Sequence, residues 1–403
     1  MIDIKKIRQN FPILDNDNLV YLDNASTTQK PKEVLEKMNY FYKNINSNVH
    51  RGNYDIAEKA TLEYENSRNE IANFLNCASN EIIFTKGTTE SINLVAYSLS
   101  DSLFTKGDEV IISEMEHHSN IIPWQLLSDK KKITLKYIPI SNKGTLEIKK
   151  LSNLITDKTK LISITHMSNL LGLINPIEDI ISIAKKNNIL TLIDAAQSIS
   201  HLEVDVKKID CDFLVFSGHK ILGPTGVGVL YGKHEILKKM SPFLGGGHMI
   251  KEVSMKKSTW GEPPFKFEAG TPNIAPAIGL GEAIKYFKLI HNKKSYKYLN
   301  ELTNYLMSKL VQIPKLKLYP AIDVQKNKGP IIAFDIEGLH PFDIAKLLST
   351  RGICIRAGHH CTQPILNKFK IKSLNRISLY YYNTREEIDF FYKSILEVIK
   401  ILS

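Results

Sequence analysis

The stretch Asp212 to Gly232, DFLVFSGHKILGPTGVGVLYG, constrains this chain more than any other. Apolar runs at Phe213 to Phe216 and Val227 to Tyr231 flank Ser217-Gly218-His219-Lys220 and a glycine- and proline-rich turn, so the segment predicts strand, polar turn, strand. A lysine held between two buried strands is costly as a cation, because burial disfavours the charged form and lowers the pKa. Desolvated in that way it becomes an amine nucleophile able to bond an aldehyde. A solvated turn lysine is the plainer alternative for SGHK in isolation.

A second anchor lies upstream in Ile189 to Ser200, ILTLIDAAQSIS. Its unalternating apolar run predicts a parallel strand covered on both faces, with Asp194 where that strand ends. Ligands of open α/β sheets bind at the carboxyl ends of strands. An aspartate there can pair with the ring nitrogen of pyridoxal phosphate while a lysine one strand and turn later holds the aldehyde. Alone, Asp194 is equally a strand-end cap.

Other strands deliver polar residues in the same way. After Glu81 to Thr85 comes Lys86-Gly87-Thr88-Thr89-Glu90, a helix opening whose free amides and two hydroxyls suit a phosphate, or serve only as a cap. Glu109 to Ser113 leads to Glu116-His117-His118, and Leu161 to Thr165 leads to His166-Met167-Ser168-Asn169. The histidine pair lacks a third ligand nearby, so no metal site is expected. Helical patterns at 31–43, 57–74, 146–155, 177–187 and 275–291 alternate with these strands, which predicts a mostly parallel sheet with right-handed crossovers. Beyond about 295, helix and strand patterns form a compact α+β unit around Arg356-Ala357-Gly358-His359-His360-Cys361 and Arg376.

Asp194-Ala195-Ala196-Gln197 followed by Ser217-Gly218-His219-Lys220 resembles the core of the class V aminotransferase-like, fold-type I pyridoxal phosphate enzymes. RAGHHC, ending at Cys361, resembles the cysteine loop of the SufS-type, group II cysteine desulfurases. The likeness runs from Tyr21-Leu22-Asp23-Asn24-Ala25 to Tyr382-Asn383-Thr384. It implies an α/β fold with a large, mostly parallel seven-stranded-type sheet domain over 21–292. A smaller α+β domain, 1–20 plus 293–403, is expected to carry the cysteine loop.

The resemblance implies pyridoxal phosphate bound by Thr88, Thr89, His117, Asn169, Asp194, Gln197, Ser217, His219 and Lys220, with Thr271 reaching the phosphate of a partner subunit. It implies L-cysteine as substrate, its carboxylate held by Arg376 and the site supported by Arg356, His50 and Asn169. Lys220, His117 and Cys361 are the expected catalytic residues: Lys220 moves the Cα proton, His117 stacks on the ring, and Cys361 takes the sulfur as a persulfide while alanine leaves. A homodimer, a SufE- or SufU-like sulfur acceptor and delivery to a SUF scaffold for iron–sulfur assembly follow by the same likeness. Tyr54 stands where relatives often carry a histidine. Selenocysteine lyase, or another class V β-lyase, shares the Lys220 and Asp194 apparatus and is the alternative activity.

Composition narrows the remaining classes. The net charge is +11, but the excess is lysine scattered over helices and turns without aromatic–basic motifs, so no nucleic-acid role is expected. Arginine occurs only seven times, and three of the seven lie within 351–376, which points to carboxylate or phosphate recognition there. The four cysteines form no CxxC pair, as suits a reducing compartment. Cys354 and Cys211 read as strand or core residues and Cys77 as a surface turn. A neighbouring imidazolium would lower the Cys361 pKa. No apolar run approaches membrane length and the first ten residues are charged, so the expected location is the cytoplasm, or an organelle interior after loss of a transit segment.

Overall fold

The computed structural model describes residues 3–16, 18–320 and 328–403. The remaining positions of the two expected domains, 1, 2, 17 and 321–327, lie outside the described residues. The first strand, β1 (Val20–Tyr21), is short. Seven strands then build one sheet: β2 (Ile82–Thr85), β3 (Glu109–Ser113), β4 (Thr134–Ile138), β5 (Thr159–Thr165), β6 (Leu190–Asp194), β7 (Phe213–Ser217) and β8 (Gly228–Gly232). Their spatial order is β2-β8-β7-β6-β5-β3-β4.

Every pairing in this sheet is parallel except the two made by β8, which runs antiparallel to β2 and β7. The connection from β7 to β8 explains the exception. A parallel return needs a crossover of about a dozen or more residues, usually a helix, and residues 218–227 supply only a turn. The SGHK turn is thus placed at the carboxyl end of β7, beside the ends of the parallel strands. Strands β3, β7 and β8 are buried along their whole length, which is why they read as continuous apolar runs.

Helices cover both faces. The helix Ile274–Ile290 packs against Lys32–Asn44 and Asp55–Leu75. It comes so close that a Cβ on Gly281 would stand 2.6 Å from Ser67 Oγ. The helix expected at 146–155 is instead a 3-10 turn, Ile148–Lys150, and a single helical turn, Leu151–Leu154. The backbone of Leu146 is taken by an antiparallel bridge to Ile140, so the helix cannot start there.

The C-terminal part carries a second sheet. After an exposed hairpin, β9 (Ile250–Val253) with β10 (Ser258–Trp260), come β11 (Leu316–Tyr319), β12 (Ile331–Ile336), β13 (Ile353–Cys354), β14 (Arg356–Gly358) and β15 (Leu374–Ser378). Four of these form an antiparallel sheet in the order β11-β12-β15-β14. The remaining strand, β13, pairs in parallel with β1, Val20 opposite Ile353. The N-terminal segment is therefore stitched to the C-terminal unit, and Asn24 Nδ2 continues the seam by donating to the Ser378 carbonyl at 2.7 Å.

Candidate active site

Carboxyl ends of β2, β3, β5, β6 and β7 open on one side of the large sheet, and the segment from β14 to β15 closes over them. Between them lies a cavity of about 230 Å³. Thr88, Thr89, His117, Asn169, Asp194, Gln197, Ser217, His219, Lys220, Arg356, Cys361 and Arg376 all line it. Residues almost 290 positions apart in sequence, Thr88 and Arg376, share one wall system because strand order, not sequence order, fixes their places.

At the floor, Lys220 ends a 3-10 turn, Gly218–Lys220, that leaves β7. Burial pulls the pKa of its amine down to about 8, partly opposed by Asp194, whose carboxylate favours the ammonium. Asp194 is 4% exposed, accepts the Ala196 amide at 2.9 Å, and has its pKa raised by burial. His117 follows β3. Its Nδ1 accepts the Ser119 amide at 3.0 Å, and burial lowers its pKa to about 3, so the ring is neutral and its proton sits on Nε2. Ser119 in turn meets Thr89 Oγ1 at 2.7 Å.

The phosphate-type corner is built by a close approach of two glycines. A Cβ on Gly228 would stand 2.4 Å from Gly87 Cα, so the turn before the helix Thr88–Ser100 can lie against β8 only because both positions lack side chains. Ser217 Oγ accepts the Thr88 amide at 2.9 Å and meets Thr88 Oγ1 at 2.8 Å, which joins the ends of β2 and β7.

Over this floor sits the cysteine loop. His360 and Cys361 both take left-handed backbone angles, φ 52° and 56°. Three hydrogen bonds hold them: the His118 amide to the Cys361 carbonyl at 2.9 Å, the Cys361 amide to His359 Nδ1 at 3.0 Å, and Asn169 Nδ2 to the His360 carbonyl at 2.8 Å. The expectation of an imidazolium beside the thiol needs correction at His360. Burial takes that ring down to about 3, and its Nε2 donates to the Leu374 carbonyl at 2.9 Å, so it stays neutral. Cys77 is also corrected: it is half-buried rather than on the surface, and burial pushes its thiol up to about 12.

Arg376 is 3% exposed on β15. It donates to Asp23 Oδ1 and to the Asn169 carbonyl, both at 2.9 Å, while its buried Nε has no protein partner. A guanidinium with donor capacity left over, inside a cavity, is a ready anion clamp. Arg356 shares Asp23 at 3.5 Å and donates to Ser26 Oγ at 2.7 Å.

His50 and Thr271 are not among the lining residues. Outside the cavity, on a shoulder of the molecule, Asn48 Nδ2, two residues before the part-buried His50, donates to Oγ1 of the exposed Thr271 at 3.3 Å. Behind the shoulder, Arg68 grips Glu268 through paired contacts of 2.7 and 2.9 Å, and it reaches Glu65, which bonds His50 at 2.8 Å. One buried ionic network thus supports both. Tyr54 lies on the same side, its hydroxyl 2.9 Å from Ser47 Oγ.

Residues 20–391 match the family described as aminotransferase class-V. The chain belongs to that family. Among its class-V relatives, a cysteine desulfurase of Wigglesworthia glossinidia brevipalpis is 49% identical over 99% of this chain and 98% of its own. A probable cysteine desulfurase of a Synechocystis strain is 46% identical over 98% and 96%. Of solved structures, the cysteine desulfurase CsdA (S-sulfonic acid) of Escherichia coli superposes with a TM-score of 0.93 at 35% identity over 100% of both chains. An apo cysteine desulfurase from Thermococcus onnurineus gives 0.94 at 38% identity over 99% of each.

For a class-V site, the residues fit pyridoxal phosphate on their own chemistry. A desolvated amine stands near a buried carboxylate, a neutral imidazole is fixed in one tautomer, and a helix N-terminus opens without a side-chain cap at Gly87. Sequence reasoning assigned no role to Asp23, which both arginines share, or to Glu116. Glu116 is fully buried behind His117 and raised to about 8 by that burial; it accepts from Asn120 Nδ2 at 2.7 Å and from Ser113. Neither carries a motif. Only the fold shows Asp23 between two arginines and Glu116 beneath the β3 loop.

Proposed function

We propose that this chain is a pyridoxal phosphate-dependent cysteine desulfurase that converts L-cysteine to L-alanine and holds the sulfur as a persulfide on Cys361. The observation that carries it is the convergence of Lys220, Asp194, Arg376 and Cys361 on one cavity. When bound, the cofactor supplies an aldehyde for the substrate amine and a ring that accepts electrons as the Cα proton leaves. Asp194 would hold the ring nitrogen, His117, Asn169 and Gln197 would contact the ring, and Thr88, Thr89, Ser217 and His219 would hold the phosphate.

The protein's own groups do the rest. Arg376 takes the substrate carboxylate through its spare donor, with Arg356 beside it. Lys220 Nζ receives the Cα proton and returns a proton later, a task suited to an amine brought down to about 8. Cys361 Sγ, as thiolate, attacks the substrate sulfur: an S–S bond forms, the C–S bond breaks, and its electron pair stays on the substrate carbon. That carbon takes up a proton to become the methyl group of alanine. No outside oxidant is needed, since the sulfur moves as the neutral atom.

Wild-type protein given L-cysteine is expected to gain one sulfur atom in intact-mass spectra, on the peptide holding Cys361, with alanine released in step. Release of alanine with no added sulfur on any cysteine would instead favour a selenocysteine lyase or another β-lyase.

The SufS-type assignment rests on RAGHHC and on a compact cysteine loop, the four residues His359, His360, Cys361 and Thr362 between the end of β14 and the start of the helix Gln363–Phe369. A short tether suits a dedicated SufE- or SufU-like acceptor feeding a SUF scaffold for iron–sulfur assembly, in the cytoplasm or an organelle interior. No helix among the described residues is long and apolar enough to cross a membrane. The division into a large domain, 21–292, and a small one, 1–20 plus 293–403, accompanies this reading.

A homodimer with composite sites completes it. The shoulder of His50 and Thr271 would face the partner's cavity, Thr271 toward the phosphate. Mixing Lys220→Ala with Thr271→Ala subunits tests this: a trans arrangement leaves one intact site in each mixed dimer, so activity returns on mixing. No recovery in verified mixed dimers places Thr271 in its own subunit's site or in none.

A further inference from the structure

The peptide carbonyl of His219, the one joined to Lys220, receives four donors. The Thr28 amide reaches it at 3.0 Å, Thr27 Oγ1 and Thr28 Oγ1 at 3.1 Å each, and Lys30 Nζ at 3.0 Å. A carbonyl oxygen offers two lone pairs, so this crowding is far beyond ordinary turn bonding. Lys30 Nζ also binds the Thr28 carbonyl and lies 3.4 Å from Thr27 Oγ1, and among the described residues it makes no salt bridge to a carboxylate. Thr28 Oγ1 accepts the Leu222 amide at 2.9 Å, so the clamp grips the chain on both sides of Lys220. The same N-terminal segment forms cavity wall at Ala25 and Ser26, tied to Gln197 Nε2 at 2.8 Å and to Arg356.

We infer that Lys30 is a positioning residue for Lys220: its buried side-chain nitrogen, with Thr27 and Thr28, donates to the His219 carbonyl and so sets the direction in which the Lys220 amine enters the cavity. A side chain that must hold an aldehyde, release it and then meet a Cα proton gains from a fixed backbone origin. Lys30 touches neither the cavity nor the reacting atoms, so it acts through Lys220 alone. The inference rests on the reading of Lys220 as the cofactor-binding amine.

Cofactor-free protein titrated with pyridoxal phosphate, followed by the visible band, tests it. Removing a donor from a buried hydrogen-bonded cluster weakens an interaction about tenfold. Lys30→Met is therefore expected to need about tenfold more cofactor for half-saturation. In the reloaded enzyme kcat should fall by a like factor with the KM for L-cysteine unchanged, as for an interaction realised in the chemical step. Lys30→Arg should restore much of both. A Lys30→Met titration matching wild type overturns the inference. So does a loss that merely tracks a lower melting temperature of the cofactor-free protein and is not rescued by arginine. If Lys30→Met does not fold, Thr27→Val, which removes one arm onto the same carbonyl, should still shift the titration several-fold, and an unshifted curve sinks the idea. Wild-type protein with no visible band would instead remove the reading of Lys220 itself.

Discussion

Lys220→Ala is expected to come off purification colourless, without the borohydride-reducible visible band of the wild type, and to turn over L-cysteine at least about a hundredfold more slowly, since general acid–base catalysis alone contributes 10²–10⁴-fold. Two losses coincide, because the same amine holds the aldehyde and moves the Cα proton. The pH behaviour of the wild type carries the same argument. Only the neutral amine attacks an aldehyde, and burial brings Lys220 to about 8 against the pull of Asp194. The rate at which cofactor-free protein takes up pyridoxal phosphate should thus climb with pH and level off above about 8, whereas an ordinary lysine would keep gaining up to about 10.4. Asp194→Ala removes the carboxylate that favours the ammonium, so its plateau should begin at lower pH. A reducible band that survives in Lys220→Ala would show that another amine holds the cofactor.

Cys361→Ala should retain the band and still change spectrum on adding L-cysteine, because none of the groups proposed to hold cofactor or substrate is altered. Alanine formation should nevertheless drop by at least about a hundredfold, as when other enzymes lose their nucleophile. The other thiols cannot stand in. Burial pushes Cys77 and Cys211 up to about 12 and raises Cys354, which keeps all three protonated and poorly nucleophilic. Their places agree: Cys211 precedes β7 in the core and Cys354 pairs with Tyr21 in β13. Cysteine-derived sulfur found on any of these in the wild type would refute the assignment. Full alanine production by Cys361→Ala would move the reading to a selenocysteine lyase or another β-lyase.

The part of the fold that could be read from the residues was the part whose pattern is local. Unbroken apolar runs announced β3, β6 and β7, and the polar residues directly after them were the ones found at the cavity. The hairpin of β9 and β10 escaped because its side chains are mostly exposed and leave no apolar signature. The helix expected at 146–155 failed because a local antiparallel bridge from Leu146 back to Ile140 outweighed a helical spacing. Lys30 escaped for another reason: a lysine in a chain rich in lysine has no distinguishing neighbour in sequence, and its four-donor cluster exists only once residue 219 is folded against residues 27–30.

By itself, the sequence determined the parallel sheet, the turn that places Lys220 and the motif that points to Cys361, since each depends on residues within a few positions of one another. Tertiary structure alone decided the protonation logic. Which histidines are neutral, which thiols are silenced and how far Lys220 is lowered follow from burial and from partners on other elements of the fold. It also decided that Asp23 is shared by Arg356 and Arg376, since a carboxylate between two cations arises only where β15 and the segment after β1 are brought side by side.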